Sequence, residues 1–280
     1  MKSTSAPKLW AAPPSVIISL AALTLIGGIR CQPQPQTDRL EMLLAKLANG
    51  RLSEPDLWAL ESQPQTEKTV PALIAAFHAR VDKAEKQWIS GSLIRLGERS
   101  DTYFNYLAGY AKVAVEDRTP YFVKYDGYGQ SVSGQFSSNF ENWCARNGKD
   151  PRAVGALQFQ VYPEDVFILA KTQDLRARDL FREGLGSPNP LVLAFCVQGL
   201  GRLRDEAALP LIAQAILQVP AGSRPAVAGQ LPWFALPAAD KLFEQVTPDR
   251  RMRDMYRSSA DGMQKSELDR IRKRTGNAPQ

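Results

Sequence analysis

Three segments of the chain overlay on one another when the numbering is shifted by 31, and this recurrence restricts the fold more than any other feature. The shift relates four columns of residues: Leu169, Leu200 and Leu231; Ala177, Ala208 and Ala239; Leu180, Leu211 and Leu242; and Phe181, Ile212 and Phe243. Four columns in phase are hard to produce by chance. The sequence therefore predicts similar structural units in tandem.

Each unit contains two amphipathic stripes at helical spacing, which predicts a pair of short helices. One such pair cannot bury its apolar face alone, so neighbouring pairs must cover one another. Small residues in the Ala177 column would let the helices of a pair approach closely, and the leucine columns would fill the space between layers. The predicted fold is an all-α solenoid of stacked helix pairs over residues 164–246.

The stretch from Leu200 to Ile212 reads Leu-Gly-Arg-Leu-Arg-Asp-Glu-Ala-Ala-Leu-Pro-Leu-Ile. It resembles the core of a HEAT-like repeat, in which a leucine- and glycine-rich turn ends the first helix. An acidic and a small residue follow, and a proline-leucine pair starts the second helix. The resemblance implies a right-handed α-solenoid. It says little about activity, because solenoids serve as platforms for unrelated functions.

Weaker copies of the same pattern precede the clear ones. The segment Leu93–Phe104 matches the frame of the second copy when the numbering is shifted by 107, with Tyr103 in place of the proline. Val70–Ile74 resembles the second helix of a still earlier copy, and Ser53 stands where a capping residue would begin a helix. We therefore expect N-terminal helices and degenerate HEAT-like repeats over residues 38–116.

An insertion separates the weak copies from the clear ones, since the numbers of Phe104 and Leu180 differ by 76, which is not a multiple of 31. Within residues 117–163 an Asp-Gly turn lies between two strand-like segments, which predicts a β-hairpin over residues 121–132 and then a short helix over residues 139–147. The candidate binding residues are aromatic side chains of this insertion: Tyr121, Phe122, Tyr125, Tyr128, Phe136 and Trp143. The alternative is that these rings only pack the insertion onto the solenoid.

Residues 1–30 are predicted to be a membrane anchor or a signal peptide. Lys2 and Lys8 precede an uncharged stretch, 9–29, which as a helix of about 31 Å could cross a bilayer. Pro13 and Pro14 restrict the expected helix to the residues that follow them, which is nearer the length of a signal-peptide core. The alternatives are cleavage of the segment, lipidation at Cys31, or an unusual buried helix. All but the last place the body outside the cytoplasm, in the periplasm.

Beyond this segment, residues 31–37 form a Gln/Pro-rich linker. The single histidine, His78, and the three cysteines exclude a His-rich zinc site, a CxxC redox pair and a zinc ribbon, so no metal or cofactor is expected. His78 is interpreted as a residue near the end of a helix. Cys196 lies in an apolar run typical of a small buried side chain, although pairing with Cys144 stays open.

The net charge of +6 favours acidic partners, but much of the excess lies in the basic C-terminal tail, residues 247–280. The body is nearly balanced, so no nucleic-acid partner is expected along it. The basic run from Arg270 to Arg274 could contact anionic lipid or an acidic protein, or could belong to a solvated terminal helix.

Taken together, these features predict a non-catalytic, extracytoplasmic HEAT-like repeat scaffold that mediates protein-protein interaction at the cell envelope, and not an enzyme. Two alternatives stay open. The first is an enzyme or enzyme helper similar to HEAT-type phycobilin lyases. The second is a module that binds carbohydrate or peptide through the aromatic insertion.

Overall fold

The computed structural model describes residues 36–50, 52–117, 148, 163–219 and 221–275, and every regular element within these ranges is a helix. The α-helices are α1 (Gln36–Ala48), α2 (Glu54–Glu61), α3 (Thr66–Ala79), α4 (Lys83–Arg95), α5 (Asp101–Glu116), α6 (Glu164–Thr172), α7 (Arg178–Gly184), α8 (Pro190–Arg202), α9 (Leu209–Gln218), α10 (Arg224–Ala228), α11 (Pro237–Val246) and α12 (Arg250–Thr275). Short 3₁₀ turns precede α7, α9, α10 and α11. The prediction of an all-α body is confirmed for these residues.

Several sequence predictions fall outside the described residues. They concern the N-terminal segment 1–30, the linker, the β-hairpin at 121–132 and the short helix at 139–147. Within the part of the chain that the structure describes, every helix is too short or too polar to span a bilayer.

Helix α2 begins at a capping box, and the prediction of Ser53 as its capping residue is confirmed. The Ser53 hydroxyl accepts the Asp56 backbone N–H at 3.3 Å, and the Asp56 carboxylate accepts the Ser53 backbone N–H at 3.1 Å. Lys46 on α1 also donates to Asp56 at 2.9 Å. The cap therefore satisfies backbone donors at the start of α2 and connects α1 to α2.

Replacing Asp56 with asparagine should make the free energy of unfolding less dependent on pH below about pH 4. Hydrogen bonds from Lys46 and Ser53 lower the pKa of Asp56 to about 2. The pKa is lower in the folded state than in the unfolded state, so this stabilisation is present above about pH 4 and is lost as the pH falls towards 2. We expect Asp56→Asn to lose about 1 kcal/mol at pH 7 and much less at pH 2.5.

Urea unfolding at both pH values measures this difference. Asp261→Asn, at an exposed position of α12, serves as the control for removing one carboxylate. Equal losses for Asp56→Asn at the two pH values would show that the lowered pKa is not the source.

The contacts between the helices divide them into two sets, which we call the first and the second row. Helices α2, α4, α6 and α8 and the 3₁₀ turn at Leu231–Phe234 contact one another in chain order and form the first row. The second row comprises α5, α7, α9 and α11. In it α5 packs on α4 and α6, α7 packs on α5 and α8, and α9 and α11 pack on each other. One continuous cluster of buried apolar side chains extends from Leu40 on α1 to Phe243 on α11.

Three of the four sequence columns occupy matching buried positions. Every member of the Leu169 column, the Ala177 column and the Phe181 column is at most 2% exposed. The prediction for the Leu180 column is wrong, because Leu211 is 48% exposed and Leu180 and Leu242 are only partly buried. Each of these leucines precedes a fully buried residue, and one residue rotates a side chain by about 100° around the helix axis, away from the core.

The backbone repeats with the same period as the sequence. Gln173, Arg204 and Ala235 have φ values of 55°, 52° and 50°, and their numbers differ by the same increment of 31. Each follows the end of a first-row element, and Gly97, with φ of 96°, takes the same place after α4. After both α4 and α8 a 6→1 hydrogen bond closes the helix, from Glu98 N–H to Leu93 and from Asp205 N–H to Leu200.

The C-terminal tail forms one helix that runs back along the body. Helix α12 has 26 residues and is about 39 Å long. Its contacts with the body include five residues on one face, spaced by four, seven, three and four positions: Tyr256, Ala260, Glu267, Arg270 and Arg274. A Cβ on Gly229 would overlap the Tyr256 ring, so glycine is required where α12 first meets the body. The basic tail is thus a packed helix that reaches from α11 to α2 and α4.

Candidate functional site

A cleft of about 360 Å³ lies where α12 crosses the C-terminal ends of α4 and α6. Its lining is strongly basic. The cations are Arg95, Arg99, Lys171, Arg270 and Arg274, and the carboxylates are Glu61 and Glu267. Three adjacent first-row helices and α12 therefore bring charged side chains together that are far apart in the sequence.

A buried ion pair forms the floor of the cleft. Glu61 accepts hydrogen bonds from Arg95 Nε at 3.0 Å and Nη2 at 2.6 Å, and from the Ser92 hydroxyl at 2.7 Å. Burial alone would raise the pKa of Glu61, but the charge of Arg95 and these hydrogen bonds hold it below its usual range. Glu61 is therefore ionised and committed to Arg95.

Lys171, at the end of α6, is enclosed by aromatic rings. Its ammonium lies 4.1 Å from the ring centre of Phe167, 4.9 Å from that of Trp58 and 5.4 Å from that of Trp88. The Glu54 carboxylate is 3.1 Å away. Burial lowers the pKa of Lys171, and Glu54 opposes this effect. The rings and the carboxylate both favour the ammonium form at neutral pH.

A second buried arginine fastens α12 to the body. Arg202, at the end of α8, donates to both oxygens of Glu267 at 2.8 and 2.7 Å, and its side chain is only 2% exposed. The guanidinium also stacks on Trp233, 4.0 Å from the ring centre. Further along α12, Arg270 lies 4.9 Å from the Trp58 ring centre, and Arg274 donates to the Arg95 carbonyl at 3.1 Å.

The charges in the cleft do not balance. Both lining carboxylates are engaged, Glu61 with Arg95 and Glu267 with Arg202. Within the described residues neither Arg99 nor Arg274 has a carboxylate within 4.0 Å. The arrangement is suited to attracting an anion.

The sequence prediction named other residues as the binding site. Tyr121, Phe122, Tyr125, Tyr128, Phe136 and Trp143 all lie outside the described residues. The cleft was missed, although one signal was present in the repeat frame. Arg95, Lys171 and Arg202 occupy the same position of three copies, related by shifts of 76 and then 31 in the numbering, and form a basic column. Each lies in the last turn of its helix, where a cation also complements the helix dipole.

His78 and Cys196 were both singled out in the sequence and lie in different environments. His78 is exposed near the end of α3, against the ring of Phe77. Cys196 is a free thiol, fully buried, whose pKa is raised by burial, and it packs beside Gly184 as a small apolar side chain. Cys144 lies outside the described residues.

No family model, no curated protein and no solved structure matches this chain. The likeness to HEAT-like repeats therefore depends on the residues of the repeat itself.

Proposed function

We propose that the chain is a non-catalytic HEAT-like repeat scaffold that binds a protein partner at the outer face of the cell membrane. The observation that carries the proposal is the shared period of sequence and backbone. Gln173, Arg204 and Ala235 adopt the same left-handed conformation at the interval of the sequence repeat. A recurring helix end, following a recurring buried leucine, supports successive layers of a solenoid.

The two rows of helices and the return of α12 support a rigid platform. Solenoids form surfaces from the repeated exposed faces of neighbouring helices, and each layer depends on its neighbours for its core. Helix α12 contacts elements from α2 to the turn at Leu231–Phe234, so it connects layers that lie far apart in the stack. Such a brace limits bending of the stack and keeps a partner surface in a fixed shape.

Second-row helices offer apolar contact positions for a partner. Leu211 and Leu217 on α9 are 48% and 62% exposed, and Val113 on α5 is 66% exposed. Side chains at the centre of an interface contribute most of the binding energy in many protein complexes. We place the partner on these exposed positions of α5 and α9.

The proposed location follows from the amino-terminal sequence. The uncharged segment 9–29, with Lys2 and Lys8 before it, would hold the body on the extracytoplasmic side. The Gln/Pro linker would separate the repeat body from the bilayer surface.

Site-specific photo-crosslinking in the native envelope tests this proposal. A photoreactive residue at Leu211 or Leu217 of the full-length chain should yield one discrete heteromeric product of constant mass. The same residue at Asp261, exposed on α12, should yield none. The scaffold proposal fails if neither α9 position gives a product above the Asp261 control while the purified chain turns over a substrate.

A further inference from the structure

We propose that the cleft between α12 and the ends of α4 and α6 binds a small phosphate-bearing anion. The inference is independent of the scaffold proposal, since it depends on the charges and the shape of this cleft alone. A volume of about 360 Å³ lies within the range of small-molecule sites. The walls combine charged guanidinium groups with the apolar side chains of Ile94, Leu96 and Ile271, so an anion there would be partly shielded from water.

The cations available to a ligand come from two sides of the cleft. Arg99 follows α4, and Arg270 and Arg274 project from the last turns of α12. In the described part of the chain Arg99 has no ion pair within 4.0 Å, and Arg274 uses one donor on the Arg95 carbonyl. A guanidinium has five donors in a planar fork that matches two oxygens of a phosphate group. Arginines on opposite sides can therefore hold one phosphate group between them.

The groups that would repel an anion are already neutralised. Glu61 and Glu267 are each held by two hydrogen bonds from a buried arginine. The carbonyl groups at the end of α4 would otherwise present the negative end of the helix dipole to the cleft. Gly97 N–H, Glu98 N–H and Arg274 occupy three of these carbonyls. The groups that still face the cavity are therefore mainly hydrogen-bond donors and positively charged guanidinium groups.

A structural role alone would predict a different charge pattern. If the cations served only to hold α12 on the body, each would be expected to meet a carboxylate across the interface, as Arg202 meets Glu267. Arg274 meets only the Arg95 carbonyl, and the carboxylate on which the charge of Arg99 acts, Asp174, is already bound by Arg176. Among the described residues neither Arg99 nor Arg274 has a carboxylate within 4.0 Å, and both line the cavity. A phosphate group has three acceptor oxygens and more charge than a carboxylate, so it can accept from guanidinium groups on both sides at once.

Equilibrium dialysis of the full-length chain in detergent, with inorganic pyrophosphate as the probe, tests the site. We expect one saturable site per chain, whose affinity falls at least about tenfold in Arg99→Gln/Arg274→Gln, because two charge-assisted contacts are lost. The matched control is Arg250→Gln/Arg251→Gln, which removes the same charge from the exposed start of α12. It should retain the affinity at equal ionic strength.

A second probe, glycerol 3-phosphate, separates the two sources of such a group. Tighter binding of pyrophosphate indicates a soluble polyphosphate ligand, and tighter binding of glycerol 3-phosphate indicates a lipid headgroup. Either result supports the site when the Arg99→Gln/Arg274→Gln variant binds the same probe more weakly. If the double variant melts earlier than the wild type by circular dichroism, Arg99→Gln alone is used, since Arg99 is exposed. Absence of saturable binding by either probe, or equal losses in cleft and control variants, overturns the proposal.

Discussion

Glu61→Ala is expected to lower the free energy of unfolding by about 3–5 kcal/mol, the usual cost of breaking a buried ion pair from one side. The Glu61 and Arg95 side chains are 6% and 15% exposed, and three hydrogen bonds reach the carboxylate. Removing it leaves the Arg95 guanidinium buried without its counter-ion. Arg95 Nη1 already has no hydrogen-bond partner within the described residues, and the Ser92 hydroxyl, which accepts from Nη2 at 3.2 Å, carries no charge that could replace the carboxylate.

Urea unfolding followed by circular dichroism measures this loss. Glu116→Ala provides the matched control, because Glu116 pairs with Lys112 at the surface, 51% exposed, and should cost less than about 0.5 kcal/mol. Replacing the pair together, as Glu61→Leu/Arg95→Met, should recover much of the stability, because no charge is then buried alone. A single-variant loss no larger than that of Glu116→Ala would show that the pair is solvated in solution.

Phe181→Ala and Phe243→Ala are each expected to lose about 3–5 kcal/mol, the range for large-to-small substitutions in a well-packed core. Both rings are at most 1% exposed, and both belong to the same repeat column. The Phe181 ring also fills the space next to Gly199, where an added Cβ would lie 2.6 Å from the ring. Gly199 has no side chain that could move into the cavity, so the loss at Phe181 should lie in the upper part of this range.

Leu211→Ala is the control for this pair, and it should lose less than about 1 kcal/mol, since about half of that side chain is already in water. Urea unfolding followed by circular dichroism measures the loss of unfolding free energy for all three variants. Similar losses at Phe181, Phe243 and Leu211 would contradict the assignment of the buried column.

The helical fold was largely predictable from the sequence because its signals are local and repeated. The Leu169, Ala177 and Phe181 columns all lie on the helix faces that meet the core, and close packing was predicted for the first two. The Leu180 column repeats equally well in the sequence but lies at the edge of the buried face. A period alone cannot separate a core position from its immediate neighbour.

The cleft could not be predicted because it depends on contacts between distant parts of the chain. Arg202 and Glu267 are 65 residues apart, and Arg274 and the Arg95 carbonyl are 179 residues apart. Neither pair follows from periodicity. The polar composition of α12 resembles that of a solvated helix, and only the positions of its partners reveal that one face is packed.

Distances between spin labels test most directly whether residues 164–246 form equivalent layers that are stacked along one axis. Labels would replace Leu180, Leu211 and Leu242 in pairs, since these side chains are at least partly exposed. We expect equal 180–211 and 211–242 distances, near the roughly 10 Å between packed helices, and a 180–242 distance about twice as long. Unequal neighbouring distances, or a 180–242 distance no longer than the others, would contradict it.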